Sequence, residues 1–339
     1  MPEVVLEWGI AVILILQGLG DWLITPMNFF TFMGNVEFYL LIMPVLYWCY
    51  DSRLGLRMAV VLTLSIAINL IFKIVVHDPR PYWVDPRVRL LTNPETTFGI
   101  PSGHGQNAVV LWGLLAAHFR KGWVWTAVTV IIFFIGFSRM YLGVHFPTDV
   151  LAGWAIGIVL LALFLGLERS VVTWMKQWGE WVQVTLVFAI SLAVIGIGVW
   201  ISSSVAADWQ LPSEWIQNAA AIAPDKSIAP LSIKDLVLSA AVFSGIISGA
   251  ILFDSRGGFD TRGPWLKRLG RYLVGIAGIL LLWQGLDVLF GLLSPEESLL
   301  GYTLRYVRYG LIGVWISALG PIVFIRLGLA EYKTKLQQS

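Results

Sequence analysis

A chain of 339 residues that is 57% hydrophobic and only 13% charged carries far more apolar surface than one soluble core can bury. Its mean hydropathy of +0.76 says the same, so a membrane is its solvent. A net charge of +2, with no basic run interleaved with aromatics, excludes nucleic acid as a partner, and the single cysteine, Cys49, excludes an intrachain disulfide and a thiolate metal site.

In chain order, residues 4–19 have the length of a signal hydrophobic region but lack a basic leading segment and a small-residue cleavage site, so they are expected in the mature protein. Glu7 and Gln17 inside this stretch favour an interfacial or half-inserted helix over a full span. Runs of membrane length follow near 36–50, 56–73, 104–119, 123–141, 148–167, 183–201, 234–253, 271–291 and 305–327. The sequence thus predicts an all-α, polytopic membrane helix bundle of about nine transmembrane helices, the first and third short. Many of the seventeen tryptophans, including Trp48, Trp83, Trp123, Trp125, Trp200 and Trp265, flank these spans as interfacial belts do, and each also suits plain packing. No internal repeat links the halves, which weakens an inverted-repeat transporter reading.

Alternating the spans places fourteen of the 23 basic residues on one side: Arg53, Arg57, Arg120, Lys121, Arg169, Lys176, Arg256, Arg262, Lys267, Arg268, Arg271, Arg326, Lys333 and Lys335. Short loops rich in Lys and Arg stay in the cytoplasm, so this side is expected inside. Three polar clusters then share the outer face: 73–81, 101–104 and 138–149.

In the first cluster Lys73 ends an apolar span and Arg80 sits between Pro79 and Pro81, in stiff, extended backbone suited to a preorganised clamp. A guanidinium grips two phosphate oxygens with a planar fork while lysine adds a point charge. Taken alone, Lys73 equally suits a snorkelling span end. In the second, Pro101-Ser102-Gly103-His104 precedes an apolar helical run. Ser102 is a good N-cap, Gly103 permits close approach, and the free N–H groups of a helix start attract phosphate oxygens; a capped helix with a chance histidine looks similar. In the third, Arg139 ends a span, and His145 and Asp149 stand four residues apart around the helix start that Pro147 favours. A carboxylate that accepts one ring N–H fixes the tautomer and leaves the other nitrogen as a nucleophile.

The three clusters resemble the tripartite signature of the type 2 phosphatidic acid phosphatase superfamily, integral-membrane lipid phosphate phosphatases related to glucose-6-phosphatase and sphingosine phosphate phosphatases. The resemblance covers about residues 55–165 and implies a core fold shared with vanadium haloperoxidases. It implies that His145 attacks phosphorus, that Asp149 orients it, and that His104 protonates the leaving alcohol and then activates water. Lys73, Arg80, Ser102, Gly103 and Arg139 would bind the phosphoryl oxygens. Fixed cations would then replace metal ions, so no cofactor and no magnesium requirement are expected.

His77, Asp78, Tyr82, Trp83, Asp85, Arg87 and Arg89 form a polar loop that either shapes a headgroup site or is simply solvated. His118 lies toward the opposite face. Residues 1–170 are expected to hold the N-terminal helices and the catalytic core, and 171–339 additional spans of unknown role. In that second half, 202–233 reads as a plain connector in preference to an interfacial element over a lipid entrance, and Asp287 and Gln284 lie in an apolar span without a partner named by the sequence. The expected activity is hydrolysis of an amphiphilic phosphate, a lipid phosphate or prenyl diphosphate, among membrane lipids at the outer or lumenal face of the cytoplasmic membrane. The alternatives are a sugar phosphate hydrolase and a non-catalytic lipid phosphate binder or transporter. The sequence leaves the substrate and the oligomeric state open.

Overall fold

The structure, a computed structural model, describes residues 2–333; Lys335, counted above with the basic residues, lies outside the described residues. Regular structure among the described residues is helical throughout, with one isolated bridge between Phe259 and Tyr332. Among the described residues, seven helical segments are long and apolar enough to cross a membrane: Ser52–Val84, Gly122–Tyr141, Pro147–Met175, Glu180–Asp208, Lys234–Asp254, Trp265–Gly291 and Leu299–Arg326.

The two expected spans that fall outside this set are helical but short. Helix α3 (Val36–Val45) continues into a π-helical turn, Leu46–Tyr50. Helix α6 (Gly103–Phe119) has 17 residues, and its first turns are spent on His104, Gln106 and Asn107. At the N-terminus, α1 (Glu3–Gln17) is followed by a bend of 89° into the segment Asp21–Phe32, which contains α2 (Ile24–Phe32). Gly20 makes the bend with φ of 104°, a conformation costly to any residue with a Cβ. The polar Gln17 explains why α1 stops there. Its Nε2 donates to the carbonyls of Arg89 (2.7 Å) and Tyr141 (3.0 Å), and its Oε1 accepts from Arg89 N–H.

Contacts divide the chain into two compact units that interleave in sequence: 1–39, 65–165 and 197–233 form one, and 40–64, 166–196 and 234–339 the other. The first unit contains the C-terminal part of α4 (Ser52–Val76), then α5 (Pro81–Val84), α6, α7 (Gly122–Tyr141), most of α8 (Pro147–Met175), the end of α9 (Glu180–Asp208) and α10 (Ser213–Ile222). Ile10, Ile13, Tyr82, Trp83, Phe98, Val144 and Phe146 form a core beneath the loops that join these helices.

The segment 202–233 departs from the expectation of a plain connector. Its two tryptophans leave water by packing on aromatic residues of the first unit: Trp215 lies 6.2 Å from Trp83 and Trp209 lies 5.6 Å from Phe98, ring centre to ring centre. Polar bonds fix it further, from Asn218 Nδ2 to Trp83 O (2.9 Å), Lys226 Nζ to Pro94 O (2.7 Å) and Ala229 N to Thr96 O (3.1 Å). The segment is a strap over the loop between α5 and α6.

The second unit holds α11 (Lys234–Asp254), α12 (Trp265–Gly291), α13 (Leu299–Val314) and α14 (Gly320–Arg326) around Trp48, Phe253, Phe259 and Phe324. Cys49 is buried there, its Sγ 3.2 Å from Arg268 O. Asp287, for which the sequence names no partner, forms an ion pair with Arg308 of the neighbouring helix.

Candidate active site

Four helix ends, those of α4, α6, α7 and α8, and the segment between α4 and α6 bring the polar clusters together inside the first unit. Lys73, in the last turn of α4, is buried, and its Nζ donates to Thr97 Oγ1 (3.0 Å) and Phe98 O (2.7 Å). Arg80 is fully buried and caps α5 in extended backbone, φ −96° and ψ 155°, as its flanking prolines dictate. Its guanidinium binds Thr97 O (2.6 Å), Phe98 O (3.1 Å) and Val144 O (2.9 Å), and Nη1 stands 3.3 Å from His145 Nε2.

Ser102 is the N-cap of α6, its Oγ accepting from Gly105 N–H at 3.3 Å, and its own N–H donates to Asp149 O at 2.9 Å. Gly103 is the first helical residue, and His104 follows with Nε2 2.6 Å from Asn35 Oδ1. Arg139 in the last turn of α7 is buried, donating from Nη1 to Thr31 Oγ1 and from Nη2 to Glu95 Oε1, both at 2.5 Å.

His145 and Asp149 flank the start of α8, and both are buried. Asp149 Oδ2 accepts from His145 Nδ1 at 3.1 Å and from Phe146 N–H at 2.9 Å. This pins the ring tautomer and leaves Nε2 facing Arg80. Burial, followed by the charges of Arg80, Lys73 and Arg139, pushes the His145 imidazole well below its ordinary pKa. The ring is therefore neutral near pH 7, with its Nε2 lone pair directed at Arg80 Nη1.

With this arrangement in view, the comparisons with known proteins are specific. The PAP2 superfamily pattern matches residues 54–179, and a pattern described as PAP2 superfamily phosphatase, transmembrane extension, matches residues 237–332. Phosphatidylglycerophosphatase B of Bacillus subtilis (strain 168) is 30% identical over 44% of this chain and 77% of its own length. The chain belongs to the PAP2 superfamily. Lipid phosphate phosphatase delta of Arabidopsis thaliana is 29% identical over 40% of this chain, although the match spans only 36% of that relative. Glucose-6-phosphatase 3 of Homo sapiens is 27% identical over 63% of this chain and 69% of its own length.

All eight residues singled out from the sequence lie in the part matched to the PAP2 superfamily, within the first unit. Four further residues of this PAP2 protein complete their surroundings. Glu95 bridges two cations, at 2.5 Å from Arg139 and 3.4 Å from Arg80, while its side chain is 29% exposed. Burial would raise its carboxyl, but Arg80 and Arg139 hold it well below the usual carboxylate range. Thr97 organises Lys73 and Arg80, Thr31 receives Arg139, and Asn35 receives His104. Glu95 was the one with a legible signal, as the only carboxylate between 86 and 148. Asn35 and Thr31 come from a distant segment and carried none.

The remaining candidates sort by place. His77 takes a left-handed conformation, φ 43°, with its ring 5.4 Å from Trp209. Arg87 pairs with Asp85 (2.6 Å) and Arg89 with Asp21 (2.9 Å), in exposed positions. His118 stands at the far end of α6, about 21 Å along the helix from His104 at 1.5 Å per residue, outside the site.

Proposed function

We propose that this protein is a membrane phosphatase that hydrolyses a lipid phosphate or prenyl diphosphate through a phosphohistidine on His145. The observation that carries the reading is the His145 ring, held by Asp149 on Nδ1 while Nε2 stands 3.3 Å from Arg80. Cations alone suffice for binding, whereas a neutral, oriented imidazole beside them serves covalent chemistry.

In the proposed reaction Nε2 attacks the terminal phosphorus and its bond to the leaving oxygen breaks, that oxygen belonging to the alcohol of a monophosphate or to the prenyl monophosphate released from a diphosphate. His104, which takes up a proton as the anionic phosphate binds, gives that oxygen its proton. Neutral His104 then takes a proton from water, whose oxygen attacks the phosphohistidine and releases inorganic phosphate and free His145. Asn35 Oδ1 accepts from His104 Nε2–H, so Nδ1 is the nitrogen left for both transfers. Lys73, Arg80, Arg139, the Ser102 hydroxyl and the N–H groups at the α6 start offset charge on the phosphoryl oxygens. Among the described residues no three His, Cys, Asp or Glu side chains group as a divalent-metal site would.

The exposed apolar side chains of α8, including Leu151 and Ile158, suit a substrate delivered from within the bilayer. A sugar phosphate is the second reading, favoured by the extent of the match to glucose-6-phosphatase 3. The test is phosphate release in chelator from a panel of lipid monophosphates, prenyl diphosphates and glucose 6-phosphate, by wild type and His145→Ala. The expected result is release from the lipid substrates by wild type and a loss of at least about 10³-fold in the variant. Equal release by both proteins removes His145 from the mechanism, and release from glucose 6-phosphate alone selects the second reading.

A further inference from the structure

The second unit contains a charged cavity that the proposed chemistry leaves unused. Asp287 and Ser294 from the end of α12 and its following turn, and Arg305 and Arg308 from α13, line a space of about 160 Å³ together with Glu296 and Phe290. Arg308 pairs with Asp287, and Arg305 with Glu296 at 2.9 Å. Lys234 at the start of α11 reaches Glu296 (3.4 Å) and Glu297 (3.2 Å). Charged groups within apolar spans are costly and mark functional sites by default.

Two features indicate what the cavity takes. The first is a gradient of exposure: the Arg305 and Arg308 side chains are 12% and 7% exposed, while Glu296 and Asp287 are 59% and 56% exposed. Cations therefore sit deep and carboxylates at the mouth. The buried Arg308 also keeps its Nε–H without a protein partner, so its fork has a donor to spare. The second feature is balance, because Lys234, Arg305 and Arg308 are matched by Asp287, Glu296 and Glu297. A lone anion would leave excess negative charge in the cluster, whereas a ligand carrying both signs replaces each broken pair with a new one. Leu292 and Leu299, beside the cavity in sequence, are 81% and 85% exposed, an apolar surface fit to be covered by hydrocarbon chains.

We propose that this cavity binds the headgroup of a zwitterionic phospholipid with a primary amine. The lipid phosphate lies on Arg305 and Arg308, and its ammonium on Asp287 and Glu296. The phosphodiester is held, not hydrolysed, so the inference is independent of the reaction proposed for the first unit.

The experiment is native mass spectrometry of the full-length protein exchanged into phosphatidylethanolamine, phosphatidylglycerol or phosphatidylcholine, with inorganic phosphate as a separate arm. Retention of phosphatidylethanolamine above the other two is expected, falling about tenfold in Arg308→Gln, the order of one charge-assisted hydrogen bond. Glu296→Gln, at the exposed mouth, should weaken retention while leaving the buried guanidinium in place, which separates ligand loss from misfolding. Equal retention of the three lipids, equal retention by Glu296→Gln and wild type, or displacement of the lipid by millimolar inorganic phosphate would each overturn the assignment.

Discussion

At His145 two neighbours do different work. Asp149 decides which nitrogen carries the proton, and the cations decide whether a second proton can bind. Because burial and positive charge depress the imidazole pKa, the nucleophilic neutral form persists below the ordinary histidine value of 6.5. The acid limb of kcat/KM assigned to His145 in the free enzyme is therefore expected below pH 6.5. Lys73→Met removes one of the charges that disfavour imidazolium, so the limb should move to higher pH, alongside a loss of substrate affinity. A limb that stays in place, measured with a substrate whose own ionisation is complete, would leave burial and the nearer guanidinium of Arg80 as the cause. The clusters were legible because Lys, Arg and His are out of place in apolar sequence, so each needed a reason. Thr97 and Asn35 were not, since ordinary polar loop residues gain meaning only when folding sets them against Arg80 and His104.

Helix α8 must approach α6 closely for Asp149 to reach both His145 and the backbone of Ser102. Gly153, one turn beyond Asp149, allows this: a Cβ there would lie 2.5 Å from Ser102 O and 3.2 Å from Gln106 N. Four residues on, a Cβ at Gly157 would lie 2.9 Å from Gln106 O, so the pair forms the small-residue spacing by which membrane helices meet backbone to backbone. Gly153→Ala is thus expected to push α8 away, lengthen the bond from Ser102 N–H to Asp149 O and lower kcat by about 10- to 100-fold, as a displacement near 1 Å does. The KM should change less, since Lys73, Arg80 and Arg139 reside on other elements; steady-state kinetics of the folded variant decides this, and an unchanged kcat would show that α8 can shift without disturbing His145. That spacing was readable in Gly153-x-x-x-Gly157, but helix lengths and strap packing were not. The strap at 202–233 has no amphipathic period through its Ala-Pro-rich part, and its role depends on Trp209 and Trp215 finding aromatic partners about 110 to 130 residues earlier in sequence.

Over the whole molecule, hydropathy located every long helix, because twenty apolar residues in a row have few alternatives to spanning a bilayer. It could not foresee that the two compact units would interleave along the chain, since that depends on contacts between distant segments. The charge asymmetry of the loops supplies the one expectation about sidedness, and the first unit offers a direct way to test it. Arg87 is 71% exposed in the loop between α5 and α6, the loop that carries Glu95 and Thr97, and Lys121 is exposed at the turn between α6 and α7. The protein's single cysteine is buried, so a new surface cysteine can be read against an almost silent background. In sealed right-side-out membrane vesicles, Arg87→Cys should react with an impermeant maleimide without permeabilisation, while Lys121→Cys should react only after it. Positive charge retained in the cytoplasm predicts this order. The reverse labelling would place the phosphate chemistry inside, and an amphiphilic substrate would then have to be presented from the inner leaflet.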